Sequence, residues 1–163
     1  MSQLSKRGFA AERGSVLAEF AIVLPIVLLM IVGAVDFGRL WVLASASANA
    51  AHAGAQYGAQ SAPLSADMNG ILAAATSDLL SSAMVQSGGD ESGMTIADFT
   101  ITPERYCECS GGADIDCTDT CGGGTKPSVF VRVQIDSTLE TIFDYPGLPS
   151  DIPVSRVAVM RAR

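Results

Sequence analysis

Hydrophobic and polar positions divide the chain into three textures. Residues 20–35 (FAIVLPIVLLMIVGAV) hold no charged or hydrogen-bonding side chain. As a helix this stretch would span about 24 Å at ~1.5 Å per residue, short of a hydrocarbon core of roughly 30 Å. Residues 15–18 and 37–43 supply the missing length, with Glu19 at one border and Asp36 and Arg39 at the other. Nothing else in the chain is apolar enough to surround such a helix, so residues 20–43 are read as a membrane span. Pro25 removes one backbone hydrogen bond and kinks the span, which membrane helices tolerate. Trp41 suits an interfacial anchor.

The second texture, residues 44–62 (ASASANAAHAGAQYGAQSA), is alanine-rich and almost free of large apolar side chains. Alanine favours helix, and small side chains let another element approach closely. The pattern predicts one helix over 15–60, about 70 Å long, ended by Ser61-Ala62-Pro63. The sole histidine, His52, lies on it without a neighbour at ligand spacing and is expected to be exposed.

The third texture alternates. Ile71, Leu72, Ala75, Leu79, Leu80 and Ala83 recur at helical spacing, which predicts an amphipathic helix over 64–86, stopped by Gly88-Gly89. Strand-like runs follow at 95–102, 129–137 and 154–161. In the second, Val129, Val131, Val133 and Ile135 alternate with Phe130, Arg132, Gln134 and Asp136, as in a half-buried antiparallel strand. Residues 145–151 (YPGLPSD) read as turn. The fold class expected is α+β: a long N-terminal membrane helix, a second helix and a small antiparallel sheet.

Charge adds a direction. The chain has 163 residues, with 10 basic against 17 acidic side chains. At that length one ordinary domain is expected, and an acidic chain is a poor phosphate binder, which excludes nucleic acid as a partner. Within residues 1–14 Lys6, Arg7 and Arg13 face only Glu12, leaving seven basic against sixteen acidic side chains in residues 15–163. The positive-inside tendency puts the N-terminus in the cytoplasm and the acidic remainder outside. A cleaved signal peptide, using Ala44-Ser45-Ala46, is a weaker reading, because Glu19 borders the apolar start and the helical pattern continues past its end.

A basic leader ending in Gly14, the small Ser15, an apolar stretch and Glu19 five positions after the glycine resemble the prepilin peptidase site of type IV pilin-like proteins. Gly8 fits less well, since the fifth residue after it is Arg13. The stretch GSVLAEFAIVLPIVLLMIVGAVDFGRLWV with its alanine-rich continuation is similar to the TadE-like family, minor pseudopilins of the tight-adherence (Flp pilus) system. The resemblance rests on Glu19-Phe20, Pro25, the box Asp36-Phe37-Gly38-Arg39, and Ala51, Gly54, Ala55, Tyr57 and Ala59. It covers about residues 13–60 and is weaker over 128–163. It implies a leader at 1–14, a helix at 15–60 and a type IV pilin-like head at 64–163. It also implies cleavage between Gly14 and Ser15, and a Glu19 carboxylate that neutralises the freed amino group of a neighbouring subunit. Prepilin peptidase, other pilins or pseudopilins, assembly-platform proteins and membrane lipid are the implied partners. The bacterial inner membrane, with a periplasmic C-terminal head and possible entry into the pilus, is the implied location. Asp36 and Arg39, at i and i+3, suit an ion pair at the outer interface.

The four cysteines form Cys107-x-Cys109-x7-Cys117-x3-Cys121. In an oxidising compartment they give two disulfides, in one of three connectivities. Four thiolates would also suit zinc, but the spacing is not that of a zinc ribbon, and the nearby acidic residues match no EF-hand. A stapled loop also stabilises a small head with a thin core. No nucleophile, base or phosphate-loop constellation stands out, so neither enzyme activity nor a cofactor or resident metal is expected. The function expected is that of a non-enzymatic TadE-like minor pseudopilin; the alternative is an unprocessed membrane-anchored periplasmic binding or metal-binding module.

Overall fold

A computed structural model describes residues 8–82, 98–143, 147 and 149–163, with side chains from Leu17 onward. The chain divides into two compact units, Met1–Arg39 and Leu40–Arg163. Helix α1, Gly8–Ala59, contributes to both. Its start differs from the expectation of a helix beginning at Ser15. Residues 8–14 (GFAAERG) are helical as well, because alanine, glutamate and arginine favour helix strongly enough to carry the two glycines.

In the first unit α1 exposes its large apolar side chains, Ile22, Met30 and Phe37 among them. In the second unit the small residues of α1 face inward. Leu43, Ser47, Ala50, Ala51, Gly54, Ala55 and Gly58 are buried, at spacings of one, three and four. The absent side chains of two glycines set the approach distance. A Cβ at Gly54 would lie 3.2 Å from the Ala75 Cβ, and one at Gly58 would lie 2.9 Å from the Ile71 Cδ1 and 3.0 Å from a Val131 methyl. The alanine-rich texture thus serves close packing.

A short 3-10 turn, Leu64–Ala66, precedes helix α2, Met68–Ser81, so the second helix is shorter than the periodicity suggested. Asp67 starts it: its carboxylate accepts from the Gly70 N–H at 3.0 Å and from the Tyr57 hydroxyl at 2.9 Å. Ile71, Ala75 and Leu79 form its buried stripe. The expected contribution of Ala83, the Gly88-Gly89 stop, the start of the strand at residues 95–97 and part of the 145–151 turn lie outside the described residues.

Four strands form one antiparallel sheet in the order β2-β1-β3-β4: β1 (Phe99–Glu108), β2 (Asp114–Ile115), β3 (Ser128–Glu140) and β4 (Asp151–Arg161). Three strands were expected. The fourth, β2, folds back inside the cysteine segment, too short to show as an alternating pattern. Strand β1 also runs further than residue 102, through Pro103 to Glu108. Proline is tolerated there because β2 covers the outer flank of β1 only at Cys107 and Glu108. Val131, Val133, Ile135 and Leu139 of β3 join Leu43, Ala50, Ala51, Ala55, Ile71, Leu79, Phe99 and Val154 in one core.

Candidate functional site

The residues singled out from the sequence fall into two groups. Gly14 and Ser15 lie on the helical backbone of α1, their side chains outside the described residues. Glu19, one turn further on, is exposed among Phe20, Ile22 and Val23, which are 60%, 73% and 52% exposed. Among the described residues it makes no hydrogen bond or ion pair. A carboxylate on an apolar helix surface is costly in lipid unless something neutralises it. The helix is long and apolar enough to cross a membrane, and its apolar window is almost entirely unburied, unlike a core helix of a soluble protein.

Asp36 and Arg39 meet at 3.4 Å across one helical turn. The Asp36 side chain is 9% exposed and that of Arg39 is 37% exposed. A single i, i+3 contact of this kind contributes only a few tenths of a kcal/mol, about 0.2–0.5. Its burial makes loss of one partner costlier than its presence is favourable. Phe37 and Trp41, at the same level, are exposed.

The second group is the cysteine segment. Cys107 bonds Cys117, and Cys109 bonds Cys121, with Cα–Cα distances of 5.1 and 5.6 Å. This is one of the three connectivities left open by the sequence, and it consumes the thiolates that zinc would need. No cluster of three or more metal-ligating side chains occurs among the described residues. The bridges tie β1 to a loop that is itself hydrogen-bonded: the Cys109 N–H donates to Ala113 at 3.0 Å and the Cys121 N–H to Thr125 at 2.9 Å. The Asp116 carboxylate accepts from the Thr118 N–H at 2.9 Å and from its hydroxyl at 2.7 Å. These bonds, with the Arg105 charge, hold Asp116 below the usual carboxylate range. The carboxylates of Asp114, Asp116 and Asp119 all remain exposed.

On the outer face of the sheet, Tyr106 stacks on Phe130 at 5.4 Å, and the Arg132 guanidinium sits 4.7 Å above the Tyr106 ring while pairing with Glu104 at 3.0 Å. The alternation of β3 marked this face as the outward one, but the pairing Tyr106↔Phe130 and Glu104↔Arg132 follows from strand register. Asp67 and its bond to Tyr57 also escaped the sequence reading. An aspartate three residues before a glycine at the head of an apolar-periodic stretch was the available signal.

The apolar part of α1 is thus exposed, with a carboxylate at its start and an Asp36–Arg39 pair, its aspartate buried, directly after its apolar run. Residues 14–56 match the family model of TadE-like protein. No curated protein and no solved structure matches the chain. The TadE-like match spans the Gly14-Ser15 junction, the apolar run, the Asp36–Arg39 pair and most of the alanine-rich stretch. It agrees over those residues with the family suggested by the sequence, and that family points to a component associated with the Tad pilus.

Proposed function

We propose that the protein is a TadE-like minor pseudopilin, a non-enzymatic assembly component of a Flp-type adhesive pilus, processed by prepilin peptidase after Gly14. The observation that carries this reading is the family match over residues 14–56, which begins at the residue where cleavage is expected. The amino end and the basic leader stay in the cytoplasm, the apolar stretch holds the chain in the inner membrane, and the stapled head lies in the periplasm. Gly14 in the middle of a helix costs about 1 kcal/mol relative to alanine, which eases local unwinding for a peptidase. After cleavage Ser15 carries the new amino group and Glu19 stands one turn away, available for the amino group of a neighbour in a low-dielectric setting. Asp36 and Arg39 mark the outer membrane border.

Intact-mass spectrometry of the protein from its native membrane tests this. The expected species begins at Ser15 and carries two disulfides; a chain beginning at Met1 in piliated cells would overturn the processing. Glu19→Ala should leave membrane insertion intact and lower pilus assembly, measured by counting pili. Unchanged piliation would remove the pairing role of the carboxylate.

A further inference from the structure

Strand β4 is an edge of the sheet, and its C-terminal end lies beside the end of α1, where the Arg163 N–H donates to the Ala59 carbonyl at 3.2 Å. Between them opens a notch of about 560 Å³ lined by Gln56, Ala59, Gln60, Met160, Arg161 and Arg163. Two arginines and two glutamines are among its lining residues. Gln56, Gln60, Arg161 and Arg163 are exposed, and neither arginine is in an ion pair among the described residues.

The opposite edge carries the complementary charge at the same height. Glu108 pairs with Ser128 on one side and Asp114 on the other, while Arg161 pairs with Phe130 two residues along β3. The disulfide-stapled segment there presents Asp114, Asp116 and Asp119 to solvent. Across the three strand spacings separating β2 from β4, each ~4.8 Å, Asp114 stands roughly 14 Å from the strand that carries Arg161. Its own chain therefore cannot fill the notch with this carboxylate. A side-by-side neighbour in the same orientation brings its acidic edge against the basic edge.

We propose that the notch at the end of β4 and α1 is a docking surface for the acidic disulfide-stapled loop of a second copy of this chain. The occupant is chosen by charge and by preorganisation. Two bridges and the Asp116-Thr118 hydrogen bonds order the loop before it binds, which lowers the entropy cost of docking. The contact joins unlike surfaces, so it repeats head to tail instead of closing a dimer. It does not depend on cleavage at Gly14 or on a role in a pilus.

The test uses the full-length chain carrying Arg161→Lys, prepared as a mixture of isotopically heavy and light copies in one membrane. A zero-length carbodiimide reagent joins the introduced amine to any carboxylate in contact with it. Expected are heavy–light linked peptides connecting position 161 to Asp114, Asp116 or Asp119, with the yield falling at least about tenfold when Arg163→Glu is added. Intact mass confirms both disulfides in each variant. Absence of heavy–light links to these aspartates, or a yield indifferent to Arg163→Glu, overturns the proposal. Links from position 161 to carboxylates of another protein alone would do the same, and would assign the notch to that partner.

Discussion

Gly58 offers a sharp test of how α1 is seated in the second unit. A Cβ added there meets Ile71 Cδ1 at 2.9 Å and the two Val131 methyls at 3.0 and 3.1 Å, well inside the ~3.5–4.0 Å optimum for carbon pairs. Ile71 and Val131 are both fully buried. The end of Ile71 can turn, but Val131 is β-branched, stiff, and held in a central strand. Two effects oppose. Alanine is the better helix former by up to about 1 kcal/mol, and by less near Ala59, where the helix ends. Overpacking a well-filled core costs about 1–3 kcal/mol. The clash wins: Gly58→Ala should lose about 1 kcal/mol and Gly58→Val about 2 kcal/mol or more. For a unit of this size the alanine variant should lower Tm by about 4 °C. Urea-dependent pulse proteolysis of the full-length chain in mild detergent measures the difference. Gly38→Ala, where nothing lies within 4 Å, is the control and should not destabilise the head. A Gly58→Ala variant as stable as the wild type, or more so, would refute the close approach of α1 to both Ile71 and Val131.

Replacing Cys107 and Cys117 together by alanine should cost about 3 kcal/mol from loop entropy alone, as should replacing Cys109 and Cys121; a loss below 1 kcal/mol in urea melts would contradict this. Asp67→Ala removes both a helix cap and the Tyr57 bond and should cost about 1–2 kcal/mol, with Asp67→Asn recovering most of it; equal losses in thermal melts would show that the cap is idle. Asp116 has a folded pKa below its unfolded value, so its contribution is complete above the ordinary carboxylate value and disappears as pH falls through the folded one, below about pH 4. Thr118→Val deletes the hydroxyl bond and keeps the backbone one, so carboxyl NMR should find the Asp116 pKa raised part of the way toward the ordinary value.

Legibility from sequence followed range. The apolar span declares itself because every residue over 20–35 obeys one rule, and the alternation in β3 needs only neighbours two apart. Boundaries were less readable. The helix began earlier than Ser15, since the local helix propensity of residues 8–14 is enough to carry two glycines. Strand β1 ran on through Pro103 to Glu108, because an edge position forgives a proline that a central strand would reject. The two residues of β2 carried no pattern of their own.

What the sequence alone determined about this protein is its one-dimensional order: a basic N-terminal stretch, an apolar run with Glu19 at its border, an alanine-rich continuation, and a C-terminal part holding four cysteines. Those are properties of contiguous residues and of composition, where hydrophobicity and helix propensity act locally. Tertiary structure decided which cysteines pair, why Gly54 and Gly58 must be small, that Asp67 binds Tyr57 as well as capping α2, and that Arg161 and Arg163 share a notch with Gln56 and Gln60. Each of these joins residues distant along the chain or depends on strand register. Their partners are set by the packing of α1, α2 and the sheet into one core, which local preference does not encode.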